Sequence, residues 1–178
     1  MKKNIETKKI EIKENPMREV YIEKIVLSCS GVSVELEKGE KLLKKISKKT
    51  PLKKVTRKRI PGFGIRPGLE VGCMVTLRGE EAASLLKRLF AAVDNRIRKK
   101  QIAVNHFSFG IKEYIEIPGE EYDREIGTMG FNVTVVFSRK GKRVGRKKIK
   151  HGRIPEKQAV SREEILHFLK LNFNTEAL

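Results

Sequence analysis

Two segments of this chain contain basic residues and no acid. Residues 41–60 carry Lys41, Lys44, Lys45, Lys48, Lys49, Lys53, Lys54, Arg57, Lys58 and Arg59; residues 139–153 carry Arg139, Lys140, Lys142, Arg143, Arg146, Lys147, Lys148, Lys150 and Arg153. A cation without a partner cannot be taken out of water cheaply, so any fold open to this chain must keep both segments at its surface. The whole sequence has 40 basic and 22 acidic side chains, a formal charge of +18, and without these two segments 21 basic residues face 22 acids. The charge is therefore local, which predicts a near-neutral folded body with two basic surfaces for a polyanion.

The body has the means to fold. With 178 residues, 39% of them hydrophobic, one domain of ordinary size can bury a core, and a fully disordered basic protein is disfavoured. Residues 1–15 show no lasting period and are expected to form a flexible basic extension, with a single domain over 16–178. The β-branched and aromatic run Val20 to Cys29 predicts a central strand. Leu36, Leu42, Leu43 and Ile46 approach helical spacing, interrupted early by Gly39 and stopped at Thr50-Pro51. A strand-like stretch to Ile60 follows, and then residues 61–68, with two Pro and three Gly, predict an irregular loop. Val71 to Leu77 reads as strand. The stripe Leu85, Leu86, Leu89, Phe90 and Val93 reads as a helix opened by Glu80 and Glu81. Strands are expected near Phe107 to Ile117 and Phe131 to Phe137, and Ser161-Arg-Glu-Glu164 is a capping box for a last helix. This order predicts an α+β fold, a mostly antiparallel sheet with helices packed on one face and long basic loops.

Most chemistries find no support in the pattern. Gly62, Gly64 and Gly68 precede a strand rather than a helix and lack a Lys-Ser/Thr, so they do not form a nucleotide-phosphate loop. Cys29, Cys73, His106 and His151 stand in no paired metal-ligand spacing, and the two cysteines read as reduced core thiols, so neither a metal nor another cofactor is expected. Glu113, Glu116, Glu120, Glu121, Asp123 and Glu125 alternate with Lys112 and Arg124 around an acidic turn; an RNA-modifying or RNA-cleaving enzyme using this Glu113–Glu125 cluster is the alternative reading. The apolar runs fall far short of the roughly 20 residues that span a bilayer, so no membrane partner is expected and the chain is read as cytoplasmic. Binding of nucleic acid is what remains, and Phe63 at the centre of the Gly/Pro loop adds an aromatic that can stack on a base.

Residues 62–79, Gly-Phe-Gly-Ile-Arg-Pro-Gly-Leu-Glu-Val-Gly-Cys-Met-Val-Thr-Leu-Arg-Gly, resemble the signature of the large-subunit ribosomal protein family numbered five in bacteria and archaea and eleven in eukaryotes. Asn15-Pro-Met-Arg-Glu19, Ile22-Glu-Lys-Ile-Val26 and Phe107-Ser-Phe-Gly-Ile-Lys-Glu113 agree with it, and the first of these, with the Ser-Arg-Glu-Glu helix, resembles the archaeal and eukaryotic branch. The resemblance implies a non-catalytic constituent of the large ribosomal subunit. Such a protein binds 5S rRNA, anchors it to the large rRNA in the central protuberance among neighbouring ribosomal proteins, reaches the P-site tRNA, and meets the small subunit in an intersubunit bridge. Carried onto this chain, the 5S rRNA face would use Lys24, Ser28, Lys49, Phe63, Arg66, Thr76 and Arg78. The tRNA-facing loop would hold Arg57, Lys58, Arg59, Gly62 and Gly64. Lys140, Lys142, Arg143, Arg146, Lys147, Lys148 and Lys150 would contact other rRNA phosphates, with Arg96, Arg98, Lys99 and Lys100 as an additional candidate contact.

Overall fold

A computed structural model describes residues 15–177. The extension expected over residues 1–15 lies, but for Asn15, outside them. The central element is an antiparallel sheet of five strands in the order β2-β3-β1-β6-β5. Its members are β1 (Val20–Ser30), β2 (Leu52–Val55), β3 (Glu70–Leu77), β5 (His106–Ile111) and β6 (Phe131–Arg139). The run expected to be a central strand is the central strand, because Ile25, Leu27 and Cys29 put an unbroken apolar row on one face. Cys73, Val75 and Leu77 of β3, Val133, Val135 and Phe137 of β6, and Phe107, Phe109 and Ile111 of β5 continue that row across the sheet.

Helices cover this face. Helix α1 (Val34–Ser47) buries Leu36, Leu42, Leu43 and Ile46, and α2 (Glu80–Ala91) buries Ala82, Leu85, Leu86, Leu89 and Phe90. Each large side chain among them contributes on the order of 1.5–3 kcal/mol. Gly39 is what lets α1 lie close: a Cβ there would stand 2.9 Å from Cys29 Sγ and 3.2 Å from Cys29 Cβ. Cys29 and Cys73 are opposite one another in the β1–β3 register, both buried and both free thiols. Beneath β5 and β6, Phe90 stacks on Phe107 and Phe109, with ring centroids 6.0 and 5.6 Å apart. The last long helix, α4 (Arg162–Phe173), places Phe168 edge-on to Phe137 at 5.4 Å. Its capping box forms as the sequence predicts, with the Ser161 amide donating to Glu164 Oε2 at 2.9 Å and the Glu164 amide donating to Ser161 Oγ.

Three elements differ from expectation. The strand expected to run to Ile60 ends at Val55, where β2 is an exposed edge. The strand expected to reach Ile117 ends at Ile111; Tyr114 is instead buried in a 3-10 turn, and its hydroxyl accepts from the Asp123 amide at 2.7 Å. Residues 96–97 (β4) and 176–177 (β7) form a small parallel pair, and residues 143–146 form a one-turn helix, α3, neither of which the periodicity announces.

Candidate nucleic-acid interface

The sheet's other face carries no helix and is lined by short side chains. Period two puts Val26, Ser28, Met74, Thr76, Asn132, Thr134 and Ser108 here, and the register sets them in rows: Thr76, Val26, Thr134 and Ser108 in one, Met74, Ser28, Asn132 and Gly110 in the next. Lys24 pairs with Val136, which pairs with His106, and Arg78, one residue past the Ile25↔Leu77 pair, stands level with Lys24. Three residues assigned to the 5S rRNA face, Lys24, Ser28 and Thr76, therefore share one surface, bounded by Arg78. The sequence signal for Ser108, Asn132 and Thr134 was present, as polar residues alternating with aromatic and branched ones.

A basic finger leaves one end of this face. The loop read as irregular is a hairpin: the Thr56 amide donates to Leu69 O at 2.9 Å, the Gly68 amide donates to Thr56 O at 2.9 Å, and Ile60 and Ile65 exchange bonds of 2.9 and 3.1 Å. A single 3-10 turn, Pro61–Phe63, closes the tip, with Gly64 at φ 65. The rungs lie beyond the reach of period-two reading because Pro, Gly and Arg occupy the positions between them. Phe63 is 77% exposed at the tip. Arg57, Lys58, Arg59 and Arg66 are exposed around it. Gly62 is the tip glycine with no positive φ, and a Cβ there meets nothing within 4 Å.

A second basic loop, residues 140–153, leaves the other end of the open face, after β6, where Arg139 pairs with Val20. Although acid-free in sequence, it is not acid-free in space. Arg139 is buried against Glu164, Lys140 reaches Glu19 at 3.3 Å, and Lys142 and Arg146 both reach Glu23. The same holds for the first segment: Lys41 pairs with Glu125, Lys45 with Asp123, Lys49 with Glu81, and Lys53 with Glu40 and Glu70. Among the described residues this leaves eleven of the nineteen without an acidic partner: Lys44, Lys48, Lys54, Arg57, Lys58, Arg59, Arg143, Lys147, Lys148, Lys150 and Arg153. Lys49 sits apart from the open face, in a groove between the end of α1 and the start of α2 lined by Ile46, Leu77 and Arg88.

The candidate catalytic carboxylates do not converge. Glu125 and Asp123 hold Lys41 and Lys45 on α1, Glu120 holds Arg88 on α2, and the Lys45 ammonium donates to Glu121 O. Glu125 raises the Lys41 ammonium above its ordinary value through their hydrogen bond and its charge. These contacts tie the 112–130 connection to the helices. Among the described residues no group of three His, Cys, Asp or Glu is placed to hold a metal ion, and no helix is long and apolar enough to cross a membrane.

Similarity to known proteins agrees with this arrangement. A family model for the C-terminus of the ribosomal protein uL5 family matches residues 70–168. The large ribosomal subunit protein uL5 of Methanoregula boonei is 39% identical over 163 residues, covering 90% of this chain and 99% of that protein. The protein of the same name from Methanospirillum hungatei is 37% identical over 165 residues, 91% and 98% of the two chains. That of Nanoarchaeum equitans is 42% identical over 156 residues, 86% and 92%. The chain belongs to the ribosomal protein uL5 family, in its archaeal-type branch.

Proposed function

We propose that this protein is a structural constituent of the large ribosomal subunit in the cytoplasm, and that it binds 5S rRNA on the open face of its sheet and anchors it to the large rRNA. The observation that carries the reading is the layout of that face: a surface of short polar side chains, framed by Lys24 and Arg78, with a cationic projection at each end. Short side chains let an RNA backbone approach the sheet, and the framing cations neutralise its phosphates. Ser28 and Thr76 offer hydroxyls toward ribose and base edges, while Phe63 and Arg66 on the finger grip the RNA at the near end. The outer finger, with Arg57, Lys58, Arg59, Gly62 and Gly64, reaches the P-site tRNA. Neighbouring ribosomal proteins of the central protuberance and, through an intersubunit bridge, the small subunit complete its surroundings.

The test contrasts two kinds of substitution. Arg66→Ala or Arg78→Ala should weaken binding to 5S rRNA more than binding to a mixed-sequence hairpin, whereas Lys147→Ala should weaken both alike. Equal losses on both RNAs for Arg66→Ala and Arg78→Ala would refute the specific assignment.

A further inference from the structure

Glu23 is an acid in the middle of a cationic surface. It stands at the register shift in β1 between Ile22 and Lys24, where the extra residue of a bulge re-aims a side chain away from strict alternation. Its side chain is only 13% exposed, and it receives Lys142 Nζ at 3.2 Å and the Arg146 guanidinium. Burial pushes the Glu23 carboxyl up, but the hydrogen bond and charge of Lys142, with Arg146 and Lys24 beside it, outweigh burial and hold it below the usual carboxylate range.

The loop that Glu23 grasps has a packed waist and an open tip. The Gly152 amide donates to Val144 O at 3.1 Å, and Gly145 and Gly152 leave no room for side chains: a Cβ would stand 2.8 Å from Ile154 Cδ1 and 2.5 Å from Val144 Cγ1 respectively. Beyond this waist Ile149 is 79% exposed, and Lys147, Lys148 and Lys150 have no acidic partner among the described residues. The cations nearest the sheet are spent on Glu19, Glu23 and Glu164, and those at the tip are not.

We propose that Glu23 is a positioning residue for RNA binding: by drawing Lys142 and Arg146 onto the first strand it holds residues 140–153 as a preformed projection whose tip cations Lys147, Lys148 and Lys150 take phosphates. This rests on the RNA-binding reading above and refines it, since it makes Lys142 and Arg146 anchors rather than phosphate ligands. It also reverses the sign expected from charge alone. Removing an acid from a basic surface raises the attraction for RNA, whereas losing an organiser returns the cost of ordering the loop to the binding step.

The experiment measures binding of the full chain to a mixed-sequence RNA hairpin at fixed salt, together with exchange of the Gly152 amide. Glu23→Gln should bind roughly three- to tenfold more weakly, the scale of one partly buried charge network, and the Gly152 amide should exchange faster. Unchanged or tighter binding, or unchanged exchange, overturns the proposal. Lys142→Gln should cost a similar amount alone and nothing further when added to Glu23→Gln; a further loss would make Lys142 a direct ligand and overturn the anchoring assignment. Should Glu23→Gln fail to fold, Lys142→Gln made from the loop side carries the same prediction, read by the same two measurements. Changing Lys147, Lys148 and Lys150 together to Ala separates this failure from failure of the RNA reading: if that variant binds like the parent, the loop does not bind RNA at all.

Discussion

Replacing Phe63 with Ala separates what the finger does for the fold from what it does for RNA. A phenylalanine covers about 150–250 Å² when fully buried. With the residue 77% exposed, only about a quarter of that, roughly 50 Å², is removed from water, and at ~25 cal/mol per Å² this is about 1 kcal/mol of stability at most. A buried phenylalanine such as Phe107 would instead cost about 3–5 kcal/mol. Against RNA the ring has much more to lose: one stacked base is worth about 1–3 kcal/mol, which is roughly a 5- to 150-fold change in affinity. Urea unfolding of the Phe63→Ala protein should therefore shift by about 1 kcal/mol or less, while its affinity for 5S rRNA falls at least about fivefold. No phosphate contact is removed, so the slope of log affinity against log salt should stay the same. Affinity that does not change, or a stability loss of the size seen for a core ring, would refute the reasoning.

Three further outcomes are expected. Gly39→Ala gains about 1 kcal/mol of helix propensity and meets an overpacking cost of about 1–3 kcal/mol against Cys29, so urea unfolding should show net destabilisation; a more stable protein would contradict the packing described for α1. Gly62→Ala should leave thermal stability equal or slightly higher, because neither φ nor a neighbour in the protein demands glycine there, yet it should weaken RNA binding at the finger; undiminished binding would mean nothing approaches that backbone. Because the Glu23 carboxyl is held below its ordinary value, its contribution is present above the unfolded value of about 4.3 and is lost as the pH falls through the lower folded value. An NMR titration of the Glu23 side-chain carboxyl should give a midpoint below about 4.3, and a midpoint above it would contradict the clamp by Lys142 and Arg146.

Period and caps carried most of the fold. The apolar rows of β1, β3 and β6, the stripe of α2 and the capping box of α4 are local patterns, and each forms where those patterns lie. The finger was not legible because its rungs join Thr56 to Gly68 and Leu69, and Ile60 to Ile65, across residues that obey no alternation. The stretch after Ile111 misled because an apolar side chain can be buried by a 3-10 turn as well as by a strand, as Tyr114 is. The open face was half legible: the signature region drew attention to Ser28 and Thr76, while the rows that place Asn132, Thr134 and Ser108 beside them depend on strand order. Charge was the least legible property. A segment's own composition says nothing of Glu19, Glu23, Glu81 or Glu125, which folding brings to it from distant parts of the chain.

The central claim is that the open face and its two projections recognise a particular RNA rather than any polyanion. Affinity for 5S rRNA and for a mixed-sequence hairpin of equal length, followed across one salt series, tests it most directly. Both should weaken with salt, since phosphate contacts release counterions in either complex, but 5S rRNA should remain bound by at least about a thousandfold margin. Two curves that coincide throughout the series would reduce the protein to a non-specific cation and contradict the account.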